Sequence, residues 1–147
     1  MKLRSTRGWE EFEWILVKRD SINIQTTLIF KTLFWDRAEL INGNLNDLVK
    51  DSTCKFSQVI IRTDDFDSWI NYIDELAARD LKDLTIGDER NFEFILNPSE
   101  ALFLRLSDHE QGGYNLLIEL RRGKINFRFE VHTDITCLTN FCNSMDE

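Results

Sequence analysis

The sequence predicts an α+β fold, and three features carry that expectation. Several runs alternate apolar and polar residues with the period of a half-buried strand, two stretches repeat their apolar residues at three- and four-residue steps, and strands never alternate regularly with helices. The expected architecture is an antiparallel sheet of about six to eight strands, one main amphipathic helix across one face, and a short C-terminal helix.

Glu11–Lys18 (EFEWILVK) and Ile22–Trp35 flank the turn residues Arg19, Asp20 and Ser21 and read as a long hairpin. In the second run Ile22, Ile24, Thr26, Leu28, Phe30, Thr32 and Phe34 share one face. Ala38–Ile41 reads as a short strand ended by Asn42-Gly43-Asn44, residues that tolerate positive φ. Lys55–Arg62 is a further strand, and its run Val59-Ile60-Ile61 predicts burial on both faces. The main helix is placed at 65–79, with Phe66, Trp69, Ile70, Ile73, Leu76 and Ala77 on its core stripe and Thr63, Asp64 and Asp65 offering its N-cap. Four strands follow, at Asn91–Asn97, Ala101–Ser107, Tyr114–Arg121 and Lys124–Val131, joined by turns at Pro98, Asp108–Gly113 and Arg122-Gly123. Thr133 is the expected cap of a final helix over 134–144, with Ile135, Leu138, Phe141 and Cys142 inward.

The chain of 147 residues is the size of one domain, with residues 1–8 a candidate disordered start. A hydrophobic fraction of 42% with eleven Phe and four Trp predicts an aromatic-rich core rather than a disordered chain. The basic start MKLRSTRGWEEFEW has no apolar run behind it, and no stretch approaches the roughly 20 apolar residues of a membrane span, so neither export nor membrane insertion is expected. Cys54, Cys137 and Cys142 are odd in number and lack CxxC spacing, which favours free thiols in a reducing cytoplasm.

The net charge of −8 is unevenly spread. Residues 1–63 carry ten Lys/Arg and eight Asp/Glu, residues 64–100 three and eleven, and residues 101–147 five and seven. The excess therefore sits in one segment, opposite to what a nucleic-acid binder needs. The simpler reading is a solvated acidic face that favours solubility; the functional reading is a docking surface for a basic protein partner. Its candidate contact residues are Asp64, Asp65, Asp67, Asp74, Glu75, Asp83, Asp88 and Glu89.

Chemistry-bearing motifs are absent from the sequence. His132 lies near Cys137, but His109 is the sole other histidine and no second close pair completes a zinc site. Gly112-Gly113 lacks the context of a phosphate loop and reads as a hairpin loop. Asp64, Asp65 and Asp67 lack the glycine and distal glutamate of a calcium loop. No metal, cofactor or catalytic residue is therefore expected, and the chain reads as a non-enzyme.

Three fragments in order, FWDRAEL (Phe34–Leu40), RTDDFDSWINYIDEL (Arg62–Leu76) and FRFEVHTDITCLTNF (Phe127–Phe141), with the strand series between the last two, resemble the WapI family of bacterial immunity proteins. Thr63-Asp64-Asp65-Phe66 matches that family's pattern, whereas Thr133-Asp134-Ile135-Thr136 departs from its D-Q-T-Y, and the glycine-rich segment after the helix is missing. The resemblance implies a non-catalytic cytoplasmic antidote that binds and blocks a polymorphic toxin domain. Two other classes stay open: a small enzyme or ligand-binding domain with its site between sheet and helix, and a scaffold that oligomerises through an exposed aromatic strand.

Overall fold

The computed structural model describes residues 1–6, 8–33, 35, 38–41, 43–80, 89–97, 99–108 and 113–144, and among these residues the chain forms ten strands and three helices. The strands are β1 (Lys2–Arg4), β2 (Glu11–Arg19), β3 (Asn23–Lys31), β4 (Ala38–Ile41), β5 (Val49–Lys50), β6 (Thr53–Arg62), β7 (Glu89–Asn97), β8 (Glu100–Asp108), β9 (Tyr114–Arg122) and β10 (Ile125–Thr133). The helices are α1 (Leu45–Leu48), α2 (Thr63–Asp80) and α3 (Ile135–Asn143).

The strands divide into two antiparallel five-stranded sheets, ordered β1-β2-β3-β6-β5 and β4-β10-β9-β8-β7. This corrects the expectation of one sheet of six to eight strands. Alternation identifies which face of a strand is buried but not which strand lies beside it. After β3 the chain leaves the first sheet, places Ala38–Ile41 against Phe129–Asn126 of β10, and returns to add β5 and β6. The start of the chain also differs from expectation. Lys2–Arg4 pair with Glu13–Glu11, and burying Leu3 completely gives this short strand a reason to be ordered.

Aromatic side chains join the sheets. The ring of Phe30 on β3 lies 4.8 Å from Phe127 and 5.1 Å from Phe129 on β10, and Phe56 on β6 lies 5.2 Å from Phe127. Trp14 on β2 meets Phe94 on β7 edge-on at 5.8 Å. The helices close the same layer. Phe66 of α2 stands edge-on to Trp14 at 5.3 Å, Trp69 edge-on to Phe92 at 5.0 Å, and Phe141 of α3 lies 5.8 Å from Phe12. Of the stripe expected on α2, Trp69, Ile73 and Leu76 are buried and Ile70 is half-buried, while Phe127 and Phe129 are fully buried.

Two register faults shape the first sheet. On β6, Phe56 faces Leu28 and Val59 faces Thr26, so Ser57 and Gln58 of β6 stand against Thr27 alone on β3. Gln58 takes φ 57°, and this β-bulge reverses the alternation beyond it. Val59 and Ile61 turn inward, while Ile60 is 48% exposed, against the expected burial of all three. The bulge carbonyls are not left bare. Arg122 Nη2 at the end of β9 donates to the Ser57 carbonyl at 2.9 Å and to Glu100 Oε1 at 2.7 Å, tying the second sheet to the bulge of the first. On β2 the register slips between Leu16 and Lys18, leaving Val17 without a partner on β3.

Connections follow local chemistry. Asp20 Oδ1 accepts the N–H groups of Asn23 (2.7 Å) and Ile22 (2.8 Å), which hold its carboxyl below the usual range and shape the β2–β3 turn. Asp51 (φ 53°) and Ser52 (φ 60°) form the two-residue loop between β5 and β6, where left-handed backbone at both positions matches strand twist. Asn44, read as part of a turn, caps α1 by accepting from the Asn46 N–H. Asp134, not Thr133, caps α3, accepting the Cys137 N–H at 2.7 Å, because Thr133 is the last, buried residue of β10. Phe34, Asp36, Arg37, Asn42, Pro98, His109 and Gly112, all named from the sequence, lie outside the described residues.

Trp69→Ala is expected to cost about 3–5 kcal/mol, as a large truncation in a filled core, whereas Ile22→Ala, at a 64% exposed position, should change stability by about 0.5 kcal/mol or less. Urea unfolding of the three proteins measures both, and a W69A chain as stable as the parent would place the α2 stripe outside the core.

Candidate functional site

Helix α2 is fixed at its start by the first sheet. The Thr63 N–H donates to the Ile22 carbonyl and the Thr63 hydroxyl to the Asp20 carbonyl, both at 2.9 Å, so the chain enters the helix directly from β6 against the β2–β3 turn. Asp64 and Asp65 fall in the first turn, where the exposed N–H groups of the helix favour negative charge. With Phe66, Trp69, Ile73 and Leu76 pointing inward, a 3.6-residue period turns Asp64, Ser68, Asn71, Asp74, Glu75 and Ala78 to solvent.

The eight acids proposed from sequence separate accordingly. Asp64, Asp65, Asp74 and Glu75 share α2 and have no cationic partner among the described residues. Asp67 is also on α2, but its Oδ1 accepts from Arg19 at 2.8 Å. Glu89 opens β7, where it lies 3.3 Å from Arg105 on a different surface. Asp83 and Asp88 lie outside the described residues. The structure therefore places Asp64, Asp74 and Glu75 on the solvent stripe of α2, with half-buried Asp65 at its flank, all four without a cationic partner among the described residues.

A second surface was not anticipated. On the solvent side of the second sheet, cross-strand registers set Arg128, Glu119, Phe103 and Glu93 in one row, with Leu117, Arg105 and Asn91 in the next. They line an open groove of about 300 Å³. Glu119, 9% exposed, sits on its floor with Oε1 2.6 Å from Arg128 Nε and Oε2 3.4 Å from Arg121, and this hydrogen bond raises the Arg128 pKa. The Arg121 guanidinium lies 4.8 Å from the Phe103 ring centre. Arg105 Nε donates to Asn91 Oδ1 at 2.9 Å. The alternation of β10 exposes Arg128 in the sequence, but the β8–β9–β10 register that groups these residues has no local signal.

Charge also divides between surfaces. The solvent side of the first sheet carries Lys2, Arg4, Lys18, Lys31, Lys50, Lys55 and Arg62 against Glu11 and Glu13, a net +5 on the strands of an acidic chain. Arg62 directly precedes the acidic first turn of α2, so the basic and acidic surfaces adjoin.

Among the described residues, no group of three or more His, Cys, Asp or Glu side chains could hold a metal ion. His132 Nε2 lies 3.7 Å from Glu130. Burial pushes the Cys54 thiol up to about 12, and burial with the nearby Asp74 carboxylate does the same for Cys142; Cys137 is raised by burial and by Asp134. These thiols are held as neutral, weakly nucleophilic groups at neutral pH. No helix among the described residues is long and apolar enough to cross a membrane. Comparison of the chain with protein-family models, curated proteins and solved structures gives no match.

The raised thiols fix the sign of one pH effect. An unfolded thiol releases its proton near pH 9, whereas folded Cys54 and Cys142 keep theirs to about pH 12. Stability is therefore expected to fall between those values and to be unaffected by these groups below pH 9. Unfolding curves for the parent and a C54A/C142A double variant test it: the variant should lose less stability across that interval, and equal losses would contradict the buried state of the thiols.

Proposed function

We propose that this chain is a non-catalytic immunity-type protein of the cytoplasm that binds a basic toxin domain and neutralises it. One observation carries the reading: Asp64, Asp65, Asp74 and Glu75 stand on α2 without neutralising partners among the described residues. The Arg62–Leu76 fragment of the WapI-like pattern contains all four acids, which supports the same reading from the sequence. Toxins that act on nucleic acids need basic surfaces for their polyanionic substrates. An acidic helix on a rigid support can cover such a surface and gain association rate through steering. Because the helix is anchored by Trp69 and Phe66 in the core, its outer stripe is preorganised and binding loses little conformational entropy.

A second reading, a small ligand-binding domain, draws on the groove over Glu119. Its volume is at the lower end of ligand pockets, and Phe103, Leu117 and three arginines supply the mixed lining such sites use.

Joint reversal of Asp64, Asp65, Asp74 and Glu75 to Lys tests the first reading. Against a basic toxin domain encoded beside this chain, association is expected to slow by roughly 10- to 1,000-fold, with a smaller change in dissociation. Raising salt from about 0.1 M to about 1 M shortens the Debye length from about 10 Å to about 3 Å and should slow the parent in the same direction. Unchanged association and protection after the reversal would make the acidic stripe a solubility surface only.

A further inference from the structure

We propose that the solvent side of the first sheet, near the β2–β3 turn, is a docking surface for an acidic protein segment with apolar residues at its centre. It is a different surface from the acidic stripe of α2, and the inference stands without the toxin reading.

The backbone itself builds this patch. Two bulges flank the same part of β3, one on β2 at Val17 and one on β6 at Ser57–Gln58. Without the second bulge, the alternation that buries Cys54 and Phe56 would carry Ile60 inward; the extra residue turns Ile60 out instead. It does so with a glutamine in left-handed backbone, a conformation that costs a non-glycine residue free energy. The first bulge leaves Val17 unpaired and 57% exposed. Bulges are known to re-aim side chains beside functional surfaces. Here both put aliphatic groups into solvent, beside half-buried Ile15 and Ile29.

Charge identifies the occupant. Glu11 lies 2.9 Å from Arg4 and 4.0 Å from Lys31, and Glu13 lies 3.7 Å from Lys2, so both acids of this surface are engaged near β1. On β6, across β3 from these pairs, Lys55 and Arg62, one toward each end of the strand, have no acidic partner among the described residues. An aliphatic centre with a cationic rim complements a protein segment carrying aliphatic side chains between Asp or Glu residues. A nucleic acid fits less well. Among the described residues no exposed aromatic ring lies beside Ile60 and Val17 for base stacking (exposed Trp9 stands at the far end, beside Lys31), phosphates cannot cover these aliphatic groups, and Glu11 and Glu13 repel them.

NMR titration of the ¹⁵N-labelled full chain with three probes tests the proposal: an alternating Glu-Leu octapeptide, an alternating Glu-Ser octapeptide and a dT octanucleotide. The Glu-Leu peptide is expected to shift the amides of Val17, Gln25, Lys55 and Ile60 saturably and to bind at least tenfold tighter than the other two. K55E/R62E and, separately, I60S should each weaken it tenfold or more with an unchanged melting temperature, since all three side chains are exposed. D74K/E75K should leave it unaltered, which separates this surface from α2. Absence of saturable shifts, shifts centred on the Arg105–Glu119 groove, equal binding of the Glu-Ser peptide, or tighter binding of the oligonucleotide would each overturn the proposal; the last would identify a nucleic-acid surface instead.

Discussion

The packing of Phe30 against Phe127 and Phe129 is the contact on which the rest of the molecule depends. These rings come from strands about a hundred residues apart in sequence and from opposite sheets. Neither sheet buries its apolar face without the other, because each carries one inner layer of Phe, Leu, Ile or Trp and one solvated layer. Aromatic pairs at 4.8–5.2 Å add a geometric preference to burial, so the sheets meet at a defined place. The helices extend this layer through Trp14–Phe66, Trp69–Phe92 and Phe12–Phe141. Arg122 reinforces it at the rim, where one guanidinium serves the β6 bulge and Glu100 together.

With the inner layers committed to the fold, the outer surfaces are what the molecule presents to solvent, and these differ in chemistry. The first sheet presents cations around Ile60 and Val17, α2 presents carboxylates without a cationic partner among the described residues, and the second sheet presents a groove in which Glu119 organises Arg121 and Arg128. Net charge conceals this division. A chain of −8 holds a face of +5, and the two signs meet where Arg62 passes into Thr63-Asp64-Asp65. Such separation gives an approaching charged partner an orientation before contact, a steering effect that a uniform charge cannot supply.

Side-chain periodicity made much of the inner layer legible in the sequence. The alternation of Phe127, Phe129 and Val131 with Asn126, Arg128 and Glu130 identified the two faces of β10, and the spacing of Phe66, Trp69, Ile73 and Leu76 identified the buried stripe of α2. What escaped is non-local or lacks a residue signature. Nothing in Ala38–Ile41 names β10 as its neighbour, so two sheets read as one. The β6 bulge rests on a glutamine at φ 57° where the sequence offers no glycine to mark it, and β5 is two residues long. The candidate acids were legible as a group, but burial and pairing divide them. Arg19 engages Asp67 and Arg105 engages Glu89, partners that only tertiary structure brings near.

A double-mutant cycle on Phe30→Leu and Phe127→Leu, read by urea unfolding, tests the inter-sheet contact most directly. A fully buried ring pair at 4.8 Å should show a coupling of about 0.5–1.5 kcal/mol, with each single variant destabilised. Losses that add to within about 0.3 kcal/mol would mean that the two rings do not sense each other and that the sheets are held together elsewhere.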